Sequence, residues 1–446
     1  MQCMEFASWH HREFHHRGDR PKRFPIWRVE PWAMEQEPCT NPSRHGKVIP
    51  LQNFRRVQSF ESHYEMGRIY REQGRLEAAI SEWERAAAMD KTHLEVHLDL
   101  GVVLAECGRL EQAIQCFKCS IELDSTCTEA HYYLGLAYFQ QDDMEKAAKV
   151  WSNALRLDPE DWELRLSLAE AYIELNKYAK ALRQIDRILK VQPCHLDALN
   201  LRGVIYLHSG DLARAKQELQ DCVQLDPKFP RSRMNLGVVY MHQGFTDMAV
   251  LEFRRAYRLS PTNPDILYNL GHALAHRGSY EEARVHLAKS LELDPHLVEA
   301  LLLLGALEVK AGLQEQASER FAQVLQIDPN EPEALGALAH IHLASGQIDQ
   351  ARQYLEQAIR LNPDHAGLQL LQARAFFAMK KTNKALTHVR RCLRIDPNQA
   401  EAQLLLGDLM WERGLKPMAL QAWEAALSLQ PEMNQARQRL AQAEGT

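Results

Sequence analysis

The feature that most constrains this chain is a 34-residue period that recurs eleven times without an insertion, from Phe60 to Met433. One phase carries glycine in eight repeats, at Gly67, Gly101, Gly135, Gly203, Gly237, Gly271, Gly305 and Gly407. The other three repeats place Ala169, Ala339 and Ala373 there. Twelve residues later every repeat has an alanine, from Ala79 to Ala419, and twelve further on nine repeats have a proline, from Pro159 to Pro431. Such a period means a stack of like supersecondary units, each burying its face against the next, rather than one globular core.

With Phe60 as position 1, apolar residues at positions 4, 7, 8 and 11, such as Leu267, Leu270, Gly271 and Leu274, predict a first helix. Gly or Asn at position 15 stops it, as at Gly74, Asn176 and Gly278. A second helix follows, with its buried face at positions 20, 24, 27 and 28. Small residues at 8 and 20 allow the two backbones to approach closely. The large residues at 24, among them Trp83, Phe117, Trp151 and Trp423, are read as filling space toward the neighbouring repeat. Proline at 32 ends the unit. Lys91 and Ser125 replace it in the first two repeats, which predicts looser helix ends there and faster amide exchange than in repeats 5 to 8.

These phases, together with the endings Leu157-Asp158-Pro159, Leu225-Asp226-Pro227 and Leu293-Asp294-Pro295, resemble the tetratricopeptide repeat. The resemblance implies an all-α fold, a right-handed α-solenoid or superhelix of antiparallel helix pairs. First helices would line a concave inner surface, second helices the outside, and the bound partner would be a peptide or protein.

Composition agrees with a folded chain: 46% hydrophobic and 25% charged. The longest apolar run, around Leu301 to Leu304, is far too short to cross a bilayer. The start of the chain has no continuous apolar segment, and the nine cysteines form no disulfide-like pattern; both favour a cytoplasmic location. Two stretches fall outside the array. Residues 434–446 keep the phase of a first helix, with Leu440 and Ala441 at positions 7 and 8, and read as a capping helix. Residues 1–59 carry three of the eight Trp, and ten Lys and Arg against six Asp and Glu, a balance of +4 that leaves −10 for the remainder. Their prolines argue for a mostly irregular tail, able to fold back and compete with a partner. Met34 opens a plainer leader and reads as an alternative start.

Residue chemistry gives little to an enzyme. No nucleophile elbow, phosphate-cradling glycine loop or zinc-protease helix motif occurs, so no catalytic, cofactor or metal residues are assigned. His11 and His15 would share a helix face but lack a third ligand. Cys116 and Cys119 look like half a zinc motif. Cys107 and Cys127, however, fall at opposite ends of the second helix, roughly 20 Å apart at 1.5 Å per residue, too far for one tetrahedral site.

The inner surface says more. By the family's geometry positions 2, 5, 6, 9, 12 and 13 face inward. Position 12 runs Phe139, Ile173, Leu207, Met241, Ala275, Val309, Leu343, Phe377 and Trp411. That lane is either a binding surface or the half-buried seam between first helices. Position 13 holds Glu174, then His208, His242 and His276: a pH-sensitive stripe or solvated surface. Asn235 and Asn269 at position 6 resemble, in two repeats, the asparagine ladder of the repeat domain of O-linked N-acetylglucosamine transferase. As exposed amides they would grip an extended backbone, and replacing both would spare stability. Position 5 has no lysine, so the carboxylate clamp of chaperone-binding members is absent. Position 2 is acidic in nine repeats, which disfavours nucleic acid and suits a basic peptide with apolar anchors. The resulting expectation is a non-enzymatic interaction scaffold. Tyr132, Tyr133 and Phe139 would anchor the partner, Asn235 and Asn269 would hold its backbone, and Glu163 and Glu174 would attract its cations. The alternatives are a self-assembling scaffold and a regulatory subunit of a separate enzyme.

Overall fold

The computed structural model describes residues 59–444. The readings for the N-terminal stretch, His11, His15 and Met34 among them, lie outside the described residues. Two helices form in every repeat. One compact unit ends at Leu259 and a second begins at Ser260. The first holds repeats 1 to 6: α1 Phe60–Glu72, α2 Leu76–Met89, α3 Leu94–Glu106, α4 Leu110–Leu123, α5 Thr128–Gln140, α6 Met144–Leu157, α7 Trp162–Glu174, α8 Tyr178–Val191, α9 Leu196–His208, α10 Leu212–Leu225, α11 Pro230–His242 and α12 Thr246–Leu259. The second holds repeats 7 to 11: α13 Pro264–Arg277, α14 Tyr280–Leu293, α15 Val298–Lys310, α16 Gln314–Ile327, α17 Pro332–Ala344, α18 Ile348–Leu361, α19 Ala366–Ala378, α20 Thr382–Ile395, α21 Ala400–Glu412 and α22 Lys416–Leu429, followed by α23 Asn434–Glu444. No strand occurs among the described residues. Within each unit every first helix packs on its own second helix, which packs on the next first helix. First helices also meet directly, α7 with α9 and α9 with α11 in one unit, α15 with α17 and α19 with α21 in the other. Each unit is therefore an α-solenoid with contacts between near neighbours only.

The close approach inside a repeat is set by a size match between positions 8 and 24. A Cβ on Gly135 would stand 2.2 Å from the Trp151 indole nitrogen, and one on Gly237 would stand 2.6 Å from the Phe253 ring. All six aromatic residues at position 24 face a glycine in this way. Where alanine occupies position 8, at Ala169, Ala339 and Ala373, position 24 shrinks to Ile185, Leu355 and Val389. The large residues thus fill space within their own repeat rather than toward the neighbour, because the interhelical gap at position 8 is what admits them. Trp83 and Trp151 finish the fit by donating their indole N–H to the Tyr64 and Tyr132 carbonyls, each at 3.1 Å.

Position 15 is left-handed in every repeat. Eight repeats use glycine there; Asp142, Asn176 and Lys380 take φ of 62°, 56° and 57°. Asn and Asp tolerate this region, but for lysine it is a strained conformation.

Position 4 is a correction to the sequence reading. It is polar in seven of the eleven repeats. In five of them, and in Arg437 of α23, the side chain reaches six residues back to the carbonyl at position 32 of the preceding repeat. His97 meets Lys91 O at 3.0 Å, His131 meets Ser125 O at 3.1 Å and Arg233 donates to Pro227 O at 2.7 Å. Arg165, Gln369 and Arg437 donate to the carbonyls of Pro159, Pro363 and Pro431. The expected looseness after repeats 1 and 2 is offset in the same turns. Thr92 and Thr126 each donate both N–H and hydroxyl to Asp90 and Asp124, the hydroxyls at 2.7 Å. These bonds hold both aspartates below the usual carboxylate range.

Candidate protein-binding face

Adjacent first helices are tied by a polar rung that runs from position 5 of one repeat to position 6 of the next. Tyr64 donates to Asp99 at 3.0 Å, Tyr132 bonds Ser167, and Asn235 donates to Asn200 at 3.0 Å. Three consecutive pairs of repeats in the first unit carry it. Position 5 alternates polar and apolar in step: Tyr64, Leu98, Tyr132, Leu166, Asn200, Met234. That two-repeat alternation was visible in the sequence and was not read as a pairing.

The rung overturns the expectation for the asparagines. Asn235 is 0% and Asn269 1% exposed. Asn200 also accepts from Ser232 at 3.1 Å, so Asn235 belongs to a buried polar network between α9 and α11. Asn269 donates to the Asp265 carbonyl within its own helix at 2.9 Å. Position 6 therefore lies in the seam between first helices rather than on an exposed groove.

The aromatic residues are also partly interior. Tyr132 and Tyr133 are half-buried and meet edge to face, with centroids 5.6 Å apart. Tyr133 also stacks on Phe117 at 5.8 Å. Burial pushes the Tyr132 phenol up to about 12. Phe139 packs on Trp151 at 5.9 Å, and Trp411 on Trp423 at 5.5 Å. The position-12 lane is therefore at least in part a packing seam. Among the histidines, His208 stacks on Tyr178 at 6.2 Å, and desolvation lowers the pKa of His242. His276 is exposed in the second unit.

The carboxylates behave differently. Burial raises Glu129 and Glu163, and the charges acting on them are those of Asp99 and Asp161, which raise them further. Glu170 at position 9 of repeat 4 is pushed up to about 7, chiefly by burial. Asp197 adds to the shift, and Arg231 opposes it while bound to Asp197 at 2.9 Å. Glu170 was missed by sequence reasoning, because its neighbours come from two later repeats. Glu174 is half-buried at the end of α7.

Comparison with known proteins accounts for the period. Models described as "Tetratricopeptide repeat" match residues 128–161, 168–234, 209–264, 252–285, 276–341, 315–375 and 370–431. A model described as "TPR repeat" matches 67–106 and 103–142. The chain belongs to the tetratricopeptide repeat family. No curated protein sequence matches it. Among similar solved structures, a chain of the APC/C hetero-tetramer Cut9-Hcn1 is 14% identical with a TM-score of 0.49; the match covers 88% of this chain and 98% of that one. Pseudomonas aeruginosa pilF is 25% identical with a TM-score of 0.44, over 47% of this chain and 95% of its own. Yeast Tom70 is 14% identical with a TM-score of 0.39, over 86% and 95%.

As a tetratricopeptide repeat protein, the chain presents first-helix faces as its candidate binding surface. No helix among the described residues is long and apolar enough to cross a membrane. In the half-motif, burial pushes the Cys116 thiol up to about 12, while Cys119 is exposed.

Proposed function

We propose that this protein is an interaction scaffold that holds a basic segment of a partner polypeptide along the first-helix face of repeats 3 to 5. The observation that carries the reading is the set Glu129, Glu163 and Glu170. Burial raises all three although Glu129 is exposed and Glu163 and Glu170 are half-buried at the surface; a neighbouring carboxylate adds to each, and at Glu170 Arg231 opposes it. A partly desolvated carboxylate among other acids is costly, and a cation brought by a partner relieves that cost. Tyr132 and Tyr133, half-buried beside them, offer ring edges to the aliphatic stem of an arginine or lysine. Asn235 is assigned to holding the scaffold together instead of holding the partner.

The test is capture with the full-length protein from its native cells, alongside the Glu163→Gln/Glu170→Gln double variant. Competition with fragments of each captured partner then maps the bound segment. A partner lost from the variant, with its competing fragment rich in Lys and Arg, supports the reading. Equal capture by both proteins, or competition by an acidic fragment, contradicts it.

A further inference from the structure

Charge in the first unit is sorted between its two kinds of helix. The second helices of repeats 3 and 4, α6 and α8, carry seven Lys and Arg against Glu145 and Asp186, a balance of +5. The first helices of the same repeats carry Glu129, Glu163, Glu170 and Glu174 against Arg165, a balance of −3. The other four second helices of the unit lie between −2 and +1. The excess is therefore local to two adjacent repeats.

All seven cations are exposed. Lys149, Arg156, Arg183, Arg187 and Lys190 make no ion pair among the described residues. Lys146 is held by Asp143 at 2.5 Å, and Lys180 lies over the Tyr172 ring at 5.6 Å. Lys149 and Arg183 occupy position 22 of successive repeats, and Arg156 and Lys190 occupy position 29. Positions 22, 26 and 29 fall on one face of a helix, so the same cationic surface recurs one repeat on. Like charges on one face repel one another, and no ion pair of theirs among the described residues offsets that.

A cleft of about 350 Å³ opens beside this surface, lined by Lys149, Ser152, Asn153 and Arg156 of α6, by Tyr172 of α7 and by Lys177. Glu145 also lines it and holds Lys177 at 3.8 Å. Lys149 and Arg156 are left uncommitted, with a hydroxyl and an amide between them to complete the hydrogen bonding of an oxyanion.

We propose that the second-helix surface of repeats 3 and 4 is a second docking site, which takes an acidic polypeptide segment and seats one of its phosphate or carboxylate groups in the cleft between Lys149 and Arg156. It is independent of the first-helix face and carries the opposite charge. A polypeptide fits better than a nucleic acid for two reasons. The cationic surface is short, on helices only about 21 Å long, whereas nucleic acid is held by an extended basic track. Single-stranded nucleic acid also needs exposed aromatic platforms, whereas Tyr172 is half-buried with Lys180 over its ring and Tyr178 is stacked on His208.

Fluorescence anisotropy with the full-length protein tests this, using a labelled glutamate-rich peptide, the same peptide with phosphoserines in place of glutamates, and a single-stranded RNA. The variants are Lys149→Gln/Arg156→Gln and Arg183→Gln/Arg187→Gln, all exposed positions, with Glu163→Gln as the control on the other face. Helical content by circular dichroism should match the parent in each. At least one acidic peptide should bind, more weakly as salt rises. Its affinity should fall about tenfold in each double variant and hold in Glu163→Gln. Tighter binding of the phosphopeptide assigns a phosphate to the cleft, and tighter binding of the glutamate peptide assigns a carboxylate. Three results overturn the proposal: no peptide bound, peptides bound equally by parent and double variants, or RNA bound more tightly than either peptide and lost in those variants.

Discussion

At the scale of single residues, the repeat depends on a few positions with little tolerance. Gly135→Ala would place a methyl 2.2 Å from the Trp151 indole, which is itself buried. Overpacking of this kind costs about 1–3 kcal/mol, and the variant should melt well below the parent. Lys380 holds a left-handed conformation at φ 57°. Lys380→Gly relieves that strain and should raise stability by roughly 0.5–1 kcal/mol; a fall in the melting temperature would show that the lysine is held for another reason. Glu170 gives a pH test. Its folded pKa of about 7 stands above the ordinary 4.5, so its contribution is favourable below 4.5 and is lost as pH rises through about 7. Glu170→Gln should therefore stabilise the protein at pH 8, by of order 1–3 kcal/mol, and give no gain at pH 4.

At the scale of elements, the helices were legible because their signals are local. Periodicity marked the buried faces, and glycine at position 15 marked the stops. The turns were legible only in part. Proline at 32 was visible, but the bond from position 4 back to the position-32 carbonyl pairs a side chain with a main-chain atom, and no spacing of residue types announces it. The rungs between first helices were missed for a related reason: Asn235 and Asn200 stand 35 residues apart, and each alone reads as a surface amide. Their burial reverses the outcome expected from the sequence. Asn235→Ala leaves Asn200 with one donor fewer in a buried site, and should cost about 1–2 kcal/mol. An unchanged melting temperature would return the residue to the binding face.

At the scale of the whole molecule, eleven repeats make stability a nearest-neighbour property. A defect such as Gly135→Ala should speed amide exchange in repeats 2 to 4 and leave repeats 9 to 11 unchanged. Faster exchange along the entire chain would deny that independence. Function was less legible than fold at this scale, because net charge averages over faces. A chain of −6 overall hides an acidic first-helix face and a cationic second-helix surface in the same two repeats. If the acids await a partner's cation, calorimetric titration of the full-length protein with an arginine-rich peptide between pH 6 and pH 8 will report it. Affinity should rise with pH as Glu170 ionises near 7, and that dependence should vanish in Glu170→Gln. Binding that is flat across this range, or that keeps its pH dependence in Glu170→Gln, would contradict the account.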